Sequence, residues 1–194
     1  TVMVIPPALD TSVYRSMDKV ACRNIFDFPQ KKHLILFGAM NSTTDPRKGV
    51  SELSDALKIV VSRLGVDNIE AVVFGATHGE INVEMPVHYM GRMVSGFGRH
   101  DDASLAALYS CADVTITPSL QEAFGQTAAE SLACGTPVVG FGSTGVEDIV
   151  DHLVNGYLAE IGDAEGLADG IIWALEKSKD TVVHQAARNK AVNS

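Results

Sequence analysis

The chain has 194 residues, a length that suits one α/β domain and is ample for a buried core. At 46% hydrophobic and 20% charged the composition is globular, with no stretch apolar enough to span a bilayer. The net charge of −9, from 15 basic and 24 acidic residues, argues against nucleic-acid binding, which needs a broad basic face. A phosphorylated ligand stays open, because one or two local cations and a helix mouth suffice to hold it.

Three cysteines, Cys22, Cys111 and Cys134, make an odd count without metal-like spacing, and read as reduced thiols in a cytosolic protein. No basic segment followed by an apolar one opens the chain, so no signal peptide is expected. The expected location is cytoplasmic.

In chain order, Thr1 to Ile5 is a strand-like apolar run ended by Pro6-Pro7. His33 to Ala39 (HLILFGA) is a continuous apolar run, suited to a central parallel strand buried on both faces. A polar loop follows, closing on Arg47-Lys48-Gly49. Val50 to Leu64 then carries apolar residues at Val50, Leu53, Leu57, Val60, Val61 and Leu64, which is helical spacing. In such βα units ligands sit beyond the carboxyl ends of the strands. Arg47 and Lys48 are therefore candidate phosphate clamps, although by themselves they also read as a solvated loop pair.

Ala71 to Gly75 and Val87 to Gly91 read as two more strands, the second leading into Arg92-Met93. His88 reads as a strand residue rather than a catalytic one. Asp101-Asp102 before Ala103 to Tyr109 predicts an N-cap and a helix, in preference to a metal site with His100. Asp113 to Thr117 (DVTIT) is a short β-branched strand.

The stretch with most chemistry is Thr117 to Val139, TPSLQEAFGQTAAESLACGTPVV. Turn formers Pro118 and Ser119 precede Glu122, Phe124 and Gly125. A helix is expected from Gln126 to Ala133, stopped by Gly135 and Pro137, before a strand at Val138-Val139. Bare N–H groups at Gly125 and Gln126, with the positive end of the helix dipole, suit a diphosphate. Glu122 and Glu130 are eight residues apart, at most roughly 12 Å of helix axis. That is about the span from a sugar to a ribose across a diphosphate, and carboxylates accept hydrogen bonds from sugar hydroxyls. Each glutamate taken alone also reads as a surface acid complementing the helix dipole.

Downstream, Gly140 to Gly145 follows that strand with glycines that would let backbone approach a ligand, and Val146 to Val150 is expected to begin another helix. Asn155-Gly156 signals a turn and Tyr157 to Ala159 a last short strand. Asp163 caps a helix through Glu176, with Trp173 as core or interface, and the polar tail from Ala186 is expected to be helical at first. Alternating strands and helices predict an α/β, doubly wound, mostly parallel sheet with helices on both faces.

EAFGQTAAE followed by ACGTPVV resembles the E-x7-E signature of retaining glycosyltransferases of family 4, which have the GT-B fold. The resemblance runs over nearly the whole chain but covers only the second, donor-binding half of such an enzyme. It implies a single Rossmann-like, nucleotide-sugar-binding domain over residues 1–194, with the N-terminal acceptor domain absent. A crossover segment like I-P-N-G-I-D would fall on Ile5 to Asp10, which here reads IPPALD and lacks the Asn and Gly. By resemblance Glu122 contacts the transferred sugar and Glu130 the nucleotide ribose. Gly38, which ends the first strand, and Phe124, Gly125 and Gln126 are the further donor-binding residues. Lys48 contacts the diphosphate, and Arg92 and Met93 inherit the base by position. The family's Arg after the strand-ending Gly is replaced by Ala39, which makes Arg47 the candidate for its role.

The resemblance implies a hexosyltransferase-type enzyme acting in polysaccharide or other glycan assembly, with catalytic residues Lys48, Arg47 and Glu122. No cofactor or metal is expected. The expected partners are the nucleotide-sugar donor and the missing acceptor domain, with no nucleic acid. The full-length protein could sit at a membrane surface. The isolated chain is expected to bind donor weakly and transfer nothing. Two alternatives stay open: a GT-B-like sugar-nucleotide epimerase, and a non-enzymatic flavodoxin-like nucleotide-binding domain.

Overall fold

In the computed structural model, which describes residues 9–38, 46–76, 81–91, 101–142 and 144–193, the apolar runs form one parallel sheet. Its strands are β1 (His33–Gly38), β2 (Ile69–Phe74), β3 (Val87–Tyr89), β4 (Val114–Thr117), β5 (Val138–Phe141) and β6 (Gly156–Ala159). They pair in the order β3-β2-β1-β4-β5-β6, every pairing parallel. Parallel strands need crossovers that cover both faces, so the central strands must be apolar on both sides. Leu34, Ile35, Leu36 and Phe37 of β1 are all buried, and so is every residue of β2.

Helices α2 (Val50–Leu64) and α5 (Ala164–Glu176) cover one face, packing Leu53, Leu57, Leu167 and Ile171 on Ile35, Val73, Ile116 and Val139. Each such side chain stabilises the fold by about 1.5–3 kcal/mol when fully buried. On the opposite face, α1 (Lys19–Ile25) and α3 (Asp102–Cys111) pack on Leu34, Leu36, Val72 and Phe74. There too α4 (Gln126–Ala133) and α6 (Thr181–Asn193) bury Leu132 and Ala187 with Val138. The doubly wound α/β sheet expected from the sequence is the fold observed.

Local chemistry sets where several helices begin. Asp163 accepts from the N–H groups of Glu165 and Gly166 at the start of α5, and Asp101 accepts from Ser104 N at the start of α3. The three cysteines are free and buried, and burial pushes the thiols of Cys111 and Cys134 up to about 12. Trp173 packs against the α2–α5 core.

Other expectations need correction. Residues 146–150 do not begin a helix. They form turns with one i→i+4 bond, from Val150 N to Val146 O. The fully buried Asn155 explains why: its amide donates to Ile149 O, and its oxygen accepts from Asp151 N. The groups that would extend the helix are thereby taken. The tail helix begins at Thr181, five residues before the expected segment, and β3 ends at Tyr89 rather than Gly91. The short α1 was not anticipated. Asp18 caps it, and the buried Arg23 fastens it by donating to Cys111 O and to the Asp113 carboxylate at 2.8 Å. The expected strand at Thr1–Ile5 lies outside the described residues.

Candidate functional site

Chain order runs outward from β1 to β3, then returns to β4 on the other side of β1. This reversal opens a crevice beyond the carboxyl ends of β1 and β4, where open α/β sheets take their ligands. A cleft of about 220 Å³ lies there. Phe37 and Gly38 at the end of β1 line it, with Ile116 and Thr117 at the end of β4, then Pro118, Ser119, Glu122, Gly125, Gln126 and Thr127. Lys48 and Phe74 complete the described walls.

Two helices start at this cleft, and both start differently from α1, α3 and α5. Aspartate side chains cap those three, whereas α2 and α4 begin at Gly49 and Gly125 with no side-chain cap hydrogen bond. Both glycines have positive φ, +66° and +76°, a conformation that costs other L-residues about 1–2 kcal/mol. The first hydrogen bond within α4 runs from Ala129 N to Gly125 O, so the preceding amides have no intrahelical acceptors, and of their residues Gly125, Gln126 and Thr127 line the cleft. The helix dipole adds positive potential at the same place.

The loops carrying Lys48 and Glu122 are stitched together. Leu120 N donates to Arg47 O at 2.8 Å, and Gly49 packs so closely that a Cβ there would stand 1.9 Å from Pro118 O. Lys48 Nζ consequently sits 3.6 Å from Glu122 Oε2. The other carboxylate oxygen, Oε1, lies 3.4 Å from Gly125 N. Glu122 thus spans the Lys48 ammonium and the helix mouth, which joins its dipole-complementing and ligand-facing readings in one geometry.

Glu130 occupies a different setting. It lies in α4, 7% exposed, and does not line the described cleft. Tyr109 Oη donates to its Oε2 at 2.8 Å and Gln126 Nε2 donates to its Oε1 at 3.1 Å. Tyr109 is fully buried. Burial, then the Glu130 charge, hold its phenol far above the ordinary range, so it remains a neutral donor. The Gln126 side chain links Glu130 to the cleft, since Gln126 lines the cleft itself.

Of the candidates read from the sequence, Gly38, Lys48, Glu122, Gly125 and Gln126 meet in the cleft. Arg47 is exposed and takes part there through its carbonyl, while Phe124 is half-buried beside Gly125. Arg92, Met93 and Ala39 lie outside the described residues. The strand expected at Val138-Val139 extends through Gly140 to Phe141, and the glycines expected to approach a ligand meet protein: a Cβ at Gly140 would stand 2.6 Å from Thr117 Oγ1, and one at Gly145 2.6 Å from Ala123 backbone. His88 is a strand residue, but partners that local sequence did not reveal surround it. Its Nε2 lies 2.7 Å from Glu70 Oε2, and Glu70 also accepts from Lys32. Asp101 caps α3, and Asp102 accepts from Tyr14 Oη. Sequence reading missed Tyr109 and Thr117 as site residues. Thr117 had one signal, its place as the last residue of a strand facing the motif.

The family pattern described as Glycosyl transferases group 1 matches residues 21–191. The chain belongs to that family. Among its relatives, the D-inositol 3-phosphate glycosyltransferase of Streptosporangium roseum is 30% identical over 200 residues. That match covers 98% of this chain but only 43% of the relative, so the chain spans less than half the length of this curated glycosyl transferase. Two solved structures share the fold. Anabaena HepE, in complex with UDP-glucose, aligns with a TM-score of 0.73 at 22% identity, over 96% of this chain and 51% of its own. The C-terminal domain of the group 1 family protein LpcC from Francisella tularensis aligns with a TM-score of 0.75 at 18% identity. That match covers 96% of this chain and 98% of the LpcC domain.

Proposed function

We propose that this glycosyl transferase group 1 chain is the donor-binding half of a retaining enzyme of family 4. It would move a hexosyl group from a nucleotide diphosphate sugar to a glycan or lipid-linked acceptor. The observation that carries this reading is the meeting of Lys48, Glu122 and the uncapped mouth of α4 in one cleft at the sheet's reversal point. The diphosphate lies across the α4 mouth, its charge met by Lys48 and the amides from Gly125 onward. As the bond to the sugar breaks, negative charge builds on the departing diphosphate, and these preorganised donors stabilise it.

The Lys48 ammonium has three N–H donors and can meet the diphosphate while it stays near Glu122. The Glu122 carboxylate keeps acceptor sites for the hydroxyls of the transferred sugar. Glu130, held from behind by Tyr109, accepts from the ribose. Arg47 is the second cation, and Arg92 and Met93 border the base. The reading uses no metal, and it assigns the acceptor to a separate N-terminal domain. The LpcC match supports the division into halves, and the UDP-glucose complex of HepE supports the ligand class. An epimerase needs acid and base groups beside the sugar, and no His–carboxylate pair lines the cleft among the described residues.

A thermal-shift panel of UDP, GDP and ADP with their sugars tests the proposal. Binding to the folded state raises its stability by about 2.7 kcal/mol at a hundredfold excess over Kd. One base is expected to raise the melting temperature selectively, and Lys48→Ala to remove the rise. No response to any of them, repeated by NMR at millimolar ligand, would overturn the reading.

A further inference from the structure

Among the described residues, one buried side-chain oxygen has no hydrogen-bond partner: Thr117 Oγ1. Thr117 is 8% exposed and ends β4 at the floor of the cleft. Native proteins pair nearly all such groups, because an unmet buried hydroxyl costs free energy. Its strand shows what the pairing normally looks like. Two residues earlier, and so on the same face, Thr115 Oγ1 accepts from Ser131 Oγ of α4 at 2.8 Å. Ser131 lies in the second turn of α4. Thr117, one pleat further toward the carboxyl end, lines the same cleft as Gln126 and Thr127 of the first turn, where the amides lack intrahelical acceptors. First-turn amides and an orphan hydroxyl thus belong to the walls of one cleft.

Packing explains neither omission. A β-branched apolar residue would fill the same volume with no hydroxyl to satisfy. Gly140 and Val146 close the far side, since a Cβ at Gly140 would stand 2.6 Å from Thr117 Oγ1 and 3.3 Å from Val146 Cγ1. Gly140 thus leaves the room that the hydroxyl occupies.

We propose that Thr117 is a ligand-contacting residue of this cleft, its hydroxyl donating to a diphosphate oxygen seated at the mouth of α4. The inference rests on the donor-site reading and adds a residue that the E-x7-E motif does not contain. The hydroxyl oxygen is itself sealed from solvent, so it pairs with the arriving anion by turning about χ1 toward the cleft. Occupancy is therefore coupled to relief of a buried polar defect. Lys48 supplies charge from the α2 side, and Thr117 fixes depth from the sheet side.

Thr117→Val keeps the shape and removes the hydroxyl, while Thr117→Ser keeps the hydroxyl. Each is compared with the unaltered chain for unfolding temperature without ligand, and for affinity toward inorganic pyrophosphate and UDP by NMR titration. The expected pattern has opposite signs. Thr117→Val unfolds at or above the wild-type temperature, yet binds both probes about tenfold more weakly, the effect of one hydrogen bond to a charged group. Thr117→Ser binds within about twofold of wild type, since the donor is retained. Unchanged affinity in Thr117→Val, with wild type binding normally, would overturn this proposal and leave the donor site standing. A lowered unfolding temperature with unchanged affinity would assign the hydroxyl a partner within the protein, and also overturns it. Failure of the wild-type chain to bind either probe removes the donor site, and this contact with it.

Discussion

Gly49→Ala isolates the contact that sets Lys48 opposite Glu122. Gly49 has φ +66°, so any side chain there carries about 1–2 kcal/mol of left-handed strain. Its Cβ would stand 1.9 Å from Pro118 O and 2.9 Å from Pro118 C, and backbone cannot rotate away as a side chain can. Relieving such overlap by backbone shift costs typically about 1–3 kcal/mol more. The sum, about 2–5 kcal/mol, is a large part of an ordinary domain's stability of about 5–15 kcal/mol. In urea, with a slope of about 1–3 kcal/mol/M, the unfolding midpoint should fall by on the order of 1–2 M. The shift also parts the two loops, lengthening the Leu120 N to Arg47 O bond and carrying Lys48 out of the cleft. UDP affinity, measured where the variant remains folded, should fall along with stability. Gly162→Ala is the control: Gly162 has φ +80° and nothing within 4 Å of the place a Cβ would take, so the substitution carries strain without overlap. Equal losses in the two variants, or normal UDP binding by Gly49→Ala, would refute the idea that this approach positions Lys48.

Tyr109→Phe removes the donor behind Glu130. If Glu130 accepts from the ribose as proposed, UDP binding should weaken several-fold while inorganic pyrophosphate is unaffected; a parallel fall for both probes would count against that assignment. Asp113 contributes to the acid limb of stability, alongside Glu70 and other carboxylates whose values are lowered. Burial alone would raise its pKa, but the His33 ring, Lys19 and Arg23 outweigh burial and hold the carboxyl well below the usual range. With the folded value depressed, its contribution is fully present above the unfolded value of about 3.9 and is lost as pH falls through the folded one. Asp113→Asn, which leaves the buried Arg23 charge uncompensated, should cost about 3 kcal/mol or more at pH 7 and flatten the loss of stability below pH 4. Urea midpoints measured across that range would expose the error if wild type and variant ran parallel.

The helices at the cleft were legible because their signals are local. The 3.6-residue period of Val50 to Leu64 and the Gly125 and Gly135 stops around Gln126 to Ala133 reproduce the bounds of α2 and α4. The buried strands show as unbroken apolar runs, since a parallel sheet covered on both faces needs no alternation. Local reading fails where a side chain or a distant residue claims backbone groups without leaving a periodic signal. Asn155, only four and six positions from the groups it bonds, takes those that would have made residues 146–150 a helix. Arg23 anchors α1 to Asp113, ninety positions along the chain.

The same division runs through the site. Sequence by itself determined the fold class, the two glycine-started helices, and the motif that brings Glu122, Gly125, Gln126 and Glu130 onto one loop and helix, because these depend on neighbours within a few residues. Tertiary structure alone decided that Lys48 faces Glu122, that Tyr109 holds Glu130, and that the Thr117 hydroxyl is left unpaired beneath α4. The first two are meetings of side chains carried on different elements, and the third is a side chain that packing leaves without one. Hydrogen bonds and ion pairs act over about 3–4 Å, so no pattern along the chain can show which distant groups will come within their reach.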